Sequence, residues 1–182
     1  MSGSSLAAVA DPEWERQLAR EAAAGDSSAF AALFEAHRHE VYKIARAVTG
    51  DAELAKDAVQ ETFLKVYEGL SRWRGASSLR TWIFRIAVRA SIDQRRRSAR
   101  HTRGHEPVDQ VSHDPSVRLE DAFALRRVQE LAERLPGQQG LILRLRLLGD
   151  LTNVEIAEAL GLTAPNVRMQ VSKAVRRLRE LL

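Results

Sequence analysis

The sequence predicts an all-α protein built as two small helical domains joined by a flexible linker. Three observations carry this. Apolar residues recur at helical spacing along most of the chain. Strand-like runs of Val, Ile, Thr and aromatic residues are missing, with only ten Gly and five Pro. The helical pattern breaks over 101–116, where Gly104, Pro107 and Pro115 stand among polar residues. A chain of 182 residues suffices for one ordinary domain or two small ones.

Residues 1–25 form an N-terminal extension and helix: Asp11-Pro12-Glu13 supplies a cap, a first-turn proline and an acid, and Gly25 stops the helix. The first domain spans 26–100. Asp26 caps a long helix with Phe30, Leu33, Phe34, His37, Val41, Ile44, Ala45 and Val48 at core spacing, ended by Gly50. Asp51 opens a third helix, buried through Ala55, Ala58, Val59, Thr62, Phe63, Val66 and Leu70. Its other face shows Asp57, Gln60, Glu61, Leu64 and Glu68, all expected to be exposed. A leucine standing in an acidic stripe points to docking. After the loop 71–77, Ser77 or Ser78 caps a fourth helix with Leu79, Trp82, Ile83, Ile86, Ala87 and Ala90 on its core side.

Beyond the linker, the second domain spans 117–182. Asp114-Pro115 restarts helix toward Pro136-Gly137, and a short helix follows with Leu141, Ile142, Leu145 and Leu148. Thr152-Asn153-Val154-Glu155 matches a capping box. That helix carries Ile156, Ala157 and Leu160 and turns at Gly161. Thr163 caps the last helix, whose core side is Val167, Val171, Ala174 and Leu178.

Charge is unevenly distributed. Residues 1–70 hold seven basic and twelve acidic residues, net −5, while 71–103 hold ten Arg against Asp93 alone, net +9. Such concentration points to a polyanionic partner. The chain has no cysteine, which excludes disulfides and thiolate metal sites and fits a reducing cytoplasm. The N-terminus lacks the pattern of a secretory signal, and no apolar run approaches the roughly 18 residues of a spanning helix, so no membrane insertion is expected. Three of the five His (His101, His105, His113) lie in or beside the linker without ligand spacing, so no metal site is expected there. No phosphate loop or nucleophile–base pair is visible, so neither an enzyme nor a cofactor is expected.

The capped helix, the turn at Leu160-Gly161-Leu162 and the second capped helix form a helix-turn-helix pattern, with small Ala157 where the two helices must approach. At 100° per residue, Pro165, Met169, Ser172, Lys173 and Arg176 lie opposite the buried side of the last helix, with Arg168 and Gln170 on the flanks. Lys173 and Arg176 can contact phosphates or guanine edges, and Gln170 can pair with adenine.

These motifs resemble the extracytoplasmic-function group of bacterial sigma factors. Asp57–Phe63 (DAVQETF) is similar to the D-x-x-Q-E-x-F signature. Arg74-Gly75, Thr81-Trp82 and Arg85-Ile86-Ala87 are similar to the family's R-G…T-W-x-x-R-I-A segment. Leu135-Pro136, Glu155-Ile156-Ala157 and Leu160-Gly161 are similar to its C-terminal L-P…E-I-A-x-x-L-G run. The match runs in order from Asp26 to Leu182. It implies that Asp57, Gln60, Glu61 and Leu64 dock on the clamp of the large subunit of core RNA polymerase. It implies that Trp73, Arg74, Ser77, Arg85, Arg89 and Arg96 recognise and open the −10 element, with Trp73, Arg74 and Ser77 lining a pocket for an unstacked base and Trp82 in the core. Pro165, Arg168, Met169, Gln170, Ser172, Lys173 and Arg176 are then the −35 readers, in a domain that also touches the polymerase flap. Promoter DNA and core polymerase are the implied partners, and the protein is cytoplasmic. The chain ends at the recognition helix, so no further regulatory domain is expected, and control by a separate anti-sigma protein is implied. The sequence departs from the family pattern at Ala76, Arg89, Gly140, Met169 and Gln170, which bears on the promoter sequence rather than the fold.

Two other readings fit less of the chain. A response-regulator-type transcription factor accounts for 140–182 but leaves DAVQETF and the arginine run idle, and predicts a dimer on a palindrome. A helical RNA-binding protein using the arginine run leaves the capping box and the turn unexplained.

Overall fold

The computed structural model describes residues 12–101 and 127–181, and among them all regular structure is helical. The Asp11 cap, residues 102–116 of the linker and the first residues of the second domain lie outside the described residues.

Helix α1 (Pro12–Ala23) packs against α2 (Ser27–Thr49). Between them the Asp26 carboxylate accepts from the amides of Ser28 at 2.8 Å and Ala29 at 3.2 Å, serving donors that the first helical turn cannot pair. Leu33, Val41, Ile44 and Val48 of α2 are all buried, as their spacing predicts. His37 is buried in the same stripe. Its ring nitrogens stand 3.4 Å from Glu15 of α1 and 3.7 Å from Glu40. Burial pushes the Glu15 carboxyl up, against the pull of His37 and Arg80.

Helix α3 (Ala52–Gly69) starts where the Asp51 carboxylate accepts from the Leu54 amide at 2.8 Å. It buries Ala55, Ala58, Thr62, Phe63 and Val66. A 3-10 turn (Leu70–Arg72) and a loop lead to α4 (Leu79–His101). Ser78, not Ser77, is the cap of α4: its hydroxyl accepts from the Thr81 amide at 3.1 Å.

Helix α4 is the central element and packs on α2, α3 and a helix of the second domain. This shifts its core side from the expected one. Phe84 and Val88 are fully enclosed with Leu79, Ile83 and Ala87, whereas Trp82 and Ile86 are only half-buried and pack against the core edge. A single apolar stripe describes a helix covered on one side; α4 is covered on two.

In the second domain a helical stretch over 127–133 (α5) is followed by α6 (Gln139–Leu147), α7 (Asn153–Leu160) and α8 (Ala164–Leu181). Gly140 has a packing role: a Cβ there would overlap the backbone carbonyl of Ala132, so α5 and α6 approach too closely for any side chain. The capping box of α7 is complete. The Thr152 hydroxyl accepts from the Glu155 amide at 3.2 Å, while the Glu155 carboxylate accepts from the Thr152 amide at 2.8 Å. Gly161 turns the chain with φ of 68°, a left-handed conformation costly for other residues.

The two halves of the chain are packed together. Leu151, Ile156, Ala157 and Ala159 share one buried cluster with Leu79, Ile83, Phe84 and Ala87 of α4. Over this contact Arg80 of α4 pairs with Glu155 of α7 and, at 3.1 Å, with Glu40 of α2, and its guanidinium lies 4.3 Å above the Phe84 ring. Farther along α4, Arg95 approaches Glu133 at 3.6 Å, and Gln129 donates to the Arg46 carbonyl at 3.3 Å.

Candidate nucleic-acid and polymerase interfaces

The acidic face of α3 follows from its register. With Ala55, Ala58, Phe63 and Val66 inward, Asp57, Gln60 and Leu64 are exposed, Leu64 by 59 %. These three, with Glu61, Lys65, Glu68 and Gln94, line a shallow groove of about 480 Å³. Glu61 departs from expectation: it is half-buried and tied down rather than exposed. Arg97 of α4 grips both carboxylate oxygens at 3.0 and 3.2 Å, Gln94 donates at 3.0 Å, and Lys65 pairs at 2.7 Å. Burial pushes this carboxyl up, but the hydrogen bonds and charges of Lys65 and Arg97 outweigh it and hold the group below its ordinary value. Glu61 therefore joins α3 to α4 as well as facing the groove. Tyr67, also exposed on α3, carries its ring against Phe30 at 5.1 Å and was not singled out by the acidic pattern.

Tertiary contacts sort the arginine run. Arg80, Arg95 and Arg97 are spent on Glu40, Glu155, Glu133 and Glu61. Arg85, Arg89 and Arg96 make no ion pair among the described residues; Arg85 is half-buried, while Arg89 and Arg96 are exposed on α4. In the preceding loop Arg74 is exposed, Ser77 half-buried, and Trp73 half-buried against the core. The Trp73 indole Nε1 is closed off from solvent and has no acceptor.

In the helix-turn-helix, Val167 and Ala174 are fully buried, and Val171 and Leu178 half-buried. The opposite face presents Pro165, Arg168, Met169, Ser172, Lys173 and Arg176 to solvent, Met169 by 45 %. Gln170 is half-buried on the flank, with its amide oxygen enclosed and unpaired. A bond of 2.6 Å from Arg177 to Gln139 ties α8 to α6. Two partners escaped sequence reasoning. Arg80 was indistinguishable from its neighbours in the basic run, and Glu155 was already accounted for by its capping box.

A helix-turn-helix with a cationic outer face, joined to a second helical domain with a basic helix and an acidic one, is the architecture of a DNA-binding protein. The comparisons narrow this class. Residues 33–101 match the family described as Sigma-70 region 2, and residues 125–178 match Sigma-70, region 4. The extracytoplasmic-function RNA polymerase sigma factor SigM of Mycobacterium tuberculosis is 31 % identical over 160 residues, covering 87 % of this chain and 80 % of that protein. Among solved structures, CnrH in complex with the cytosolic domain of CnrY has a TM-score of 0.69 at 24 % identity, covering 92 % of this chain and 96 % of that one. The sigma factor RpoE of Bartonella quintana, in complex with the anti-sigma factor NepR, has a TM-score of 0.60 at 20 % identity, covering 84 % and 95 %. The chain belongs to the sigma-70 family of RNA polymerase sigma factors, in its extracytoplasmic-function group: a transcription initiation factor.

Proposed function

We propose that this sigma factor carries core RNA polymerase to a dedicated set of promoters, with labour divided between units at 26–100 and 117–182 and a linker at 101–116. The face of Asp57, Gln60, Glu61 and Leu64 docks on the clamp of the large subunit. Trp73, Arg74 and Ser77 receive an unstacked base of the −10 element, while Arg85, Arg89 and Arg96 neutralise the adjacent backbone. Unstacking costs a few kcal/mol, which aromatic and cationic contacts offset. Pro165, Arg168, Met169, Gln170, Ser172, Lys173 and Arg176 face the −35 element. The observation that supports this best is the separation of charge on one molecule: an acidic groove with an exposed leucine on α3, against arginines on α4 and α8 that make no ion pair among the described residues.

The site of action is the cytoplasm, where polymerase works; among the described residues no helix is long and apolar enough to cross a membrane. An anti-sigma protein holds the factor inactive; the structurally similar RpoE has been solved in complex with the anti-sigma factor NepR. Run-off transcription with purified core polymerase and a genomic promoter library tests the reading. Transcripts sharing a two-part motif upstream of their starts are expected; core-dependent transcription no different from that without the factor would overturn it.

A further inference from the structure

Helix α1 precedes the matched region 2, which begins at residue 33, and the functions described above give it no part. Its alanine face, including Ala19 and Ala22, is buried, and α1 packs on the turn Leu70–Arg72 that leads into the Trp73 loop. Arg16 and Arg20, one helical turn apart, flank this seam. Together with Trp73 and Arg74 they line an open cleft of about 690 Å³. Its lining includes three arginines and no acidic side chain. None of the three arginines makes an ion pair among the described residues. Trp73 adds a half-buried aromatic side chain to the same lining.

We propose that α1 forms one wall of a binding cleft for single-stranded DNA, in which Arg16 and Arg20 contact the phosphates flanking the base held at Trp73 and Arg74. The proposal rests on the reading of the Trp73 loop as the −10 element's opener. Its ligand chemistry is a phosphodiester with an unstacked base: arginine forks suit phosphate oxygens, and an aromatic side chain suits a base. Arginines placed only to solvate an exposed helix would not need to converge on an aromatic side chain and a third arginine. An acidic segment of a protein partner would find similar charges but would have no use for the aromatic wall.

The test uses holoenzyme assembled from core polymerase and the full chain, and a promoter fragment recovered by run-off selection in two forms, duplex and with a preformed bubble over the −10 element. Arg16→Ala with Arg20→Ala is compared with Arg16→Lys with Arg20→Lys and with the wild type. Two lost phosphate contacts on a single strand reduce the slope of log K against log salt for the bubble fragment by about 1.4. The alanine pair is expected to show this reduction, to lose about tenfold in bubble affinity, and to leave core association and helical content unchanged. The lysine pair is expected to keep most of the slope. Equal slopes and affinities for the alanine pair and the wild type overturn the proposal, as does a loss seen only in binding of a protein inhibitor. Wild-type affinity for the bubble fragment in a Trp73→Ala holoenzyme refutes the underlying reading of the loop instead.

Discussion

Replacing Glu155 with glutamine separates two roles held by one side chain. The carboxylate closes the capping box of α7 through the Thr152 amide at 2.8 Å, and it also pairs with Arg80 across the contact between the two halves. Glutamine retains an acceptor for the cap but removes the charge, whereas alanine removes both. Glu155 is nearly buried while Arg80 is about one-third exposed, so the pair lies between the surface and buried regimes. The lost pairing is therefore expected to cost about 1 kcal/mol, moderated by Glu40 remaining beside Arg80 at 3.1 Å. Loss of the cap adds about 1 kcal/mol in Glu155→Ala. Urea denaturation followed by circular dichroism, run as a double-mutant cycle with Arg80→Ala, measures both quantities. Glu155→Gln is expected to cost little once Arg80 is absent, and Glu155→Ala to retain its capping cost there. A Glu155→Gln penalty that persists undiminished without Arg80, or that equals the alanine penalty, would refute the assignment of two separable roles.

Other outcomes follow from the same geometry. Asp57→Ala and Gln60→Ala should weaken association with core polymerase while changing stability by no more than about 0.5 kcal/mol, and unchanged affinity in both would remove the docking face. Glu61→Gln should also destabilise the fold, because the contacts from Arg97 and Lys65 lose their charged acceptor. Since the folded Glu61 carboxyl lies below its ordinary value of 4.5, its contribution is fully present above that pH and is lost as pH falls through the lowered value; the gap between wild type and variant should close on acidification. Trp73→Ala should reduce permanganate reactivity of the −10 region more than duplex binding, by the roughly 1–3 kcal/mol of a stacked base, and equal opening would exclude the role. Met169→Ala should alter which −35 sequences are selected, by about 1 kcal/mol at one position, whereas Arg176→Ala should weaken all sequences alike and lower the salt slope by about one. Selection at two salt concentrations distinguishes these results, and an unaltered preference with Met169→Ala would show that this face does not read bases.

The sequence by itself determined what depends on neighbours along the chain. The cap at Asp26, the capping box of Thr152 and Glu155, and the turn at Gly161 each act within a few residues, so their chemistry is legible as spacing. The phases of α2 and α8 were equally legible, because each helix buries one main stripe, through Leu33, Val41 and Ile44 in one and Val167 and Ala174 in the other. Tertiary structure decided what depends on distant residues. Phe84 and Val88 are buried on α4, which packs on α7 from some 70 residues away in the chain as well as on α2 and α3. Glu61 belongs to the fold as well as to the acidic face because Arg97 reaches it from α4, 36 residues on. Gly140, which reads in sequence as the loss of an expected arginine, is required by the carbonyl of Ala132. The arginine run shows its total charge in sequence, but only the positions of Glu40, Glu61, Glu133 and Glu155 decide which arginines are held in ion pairs.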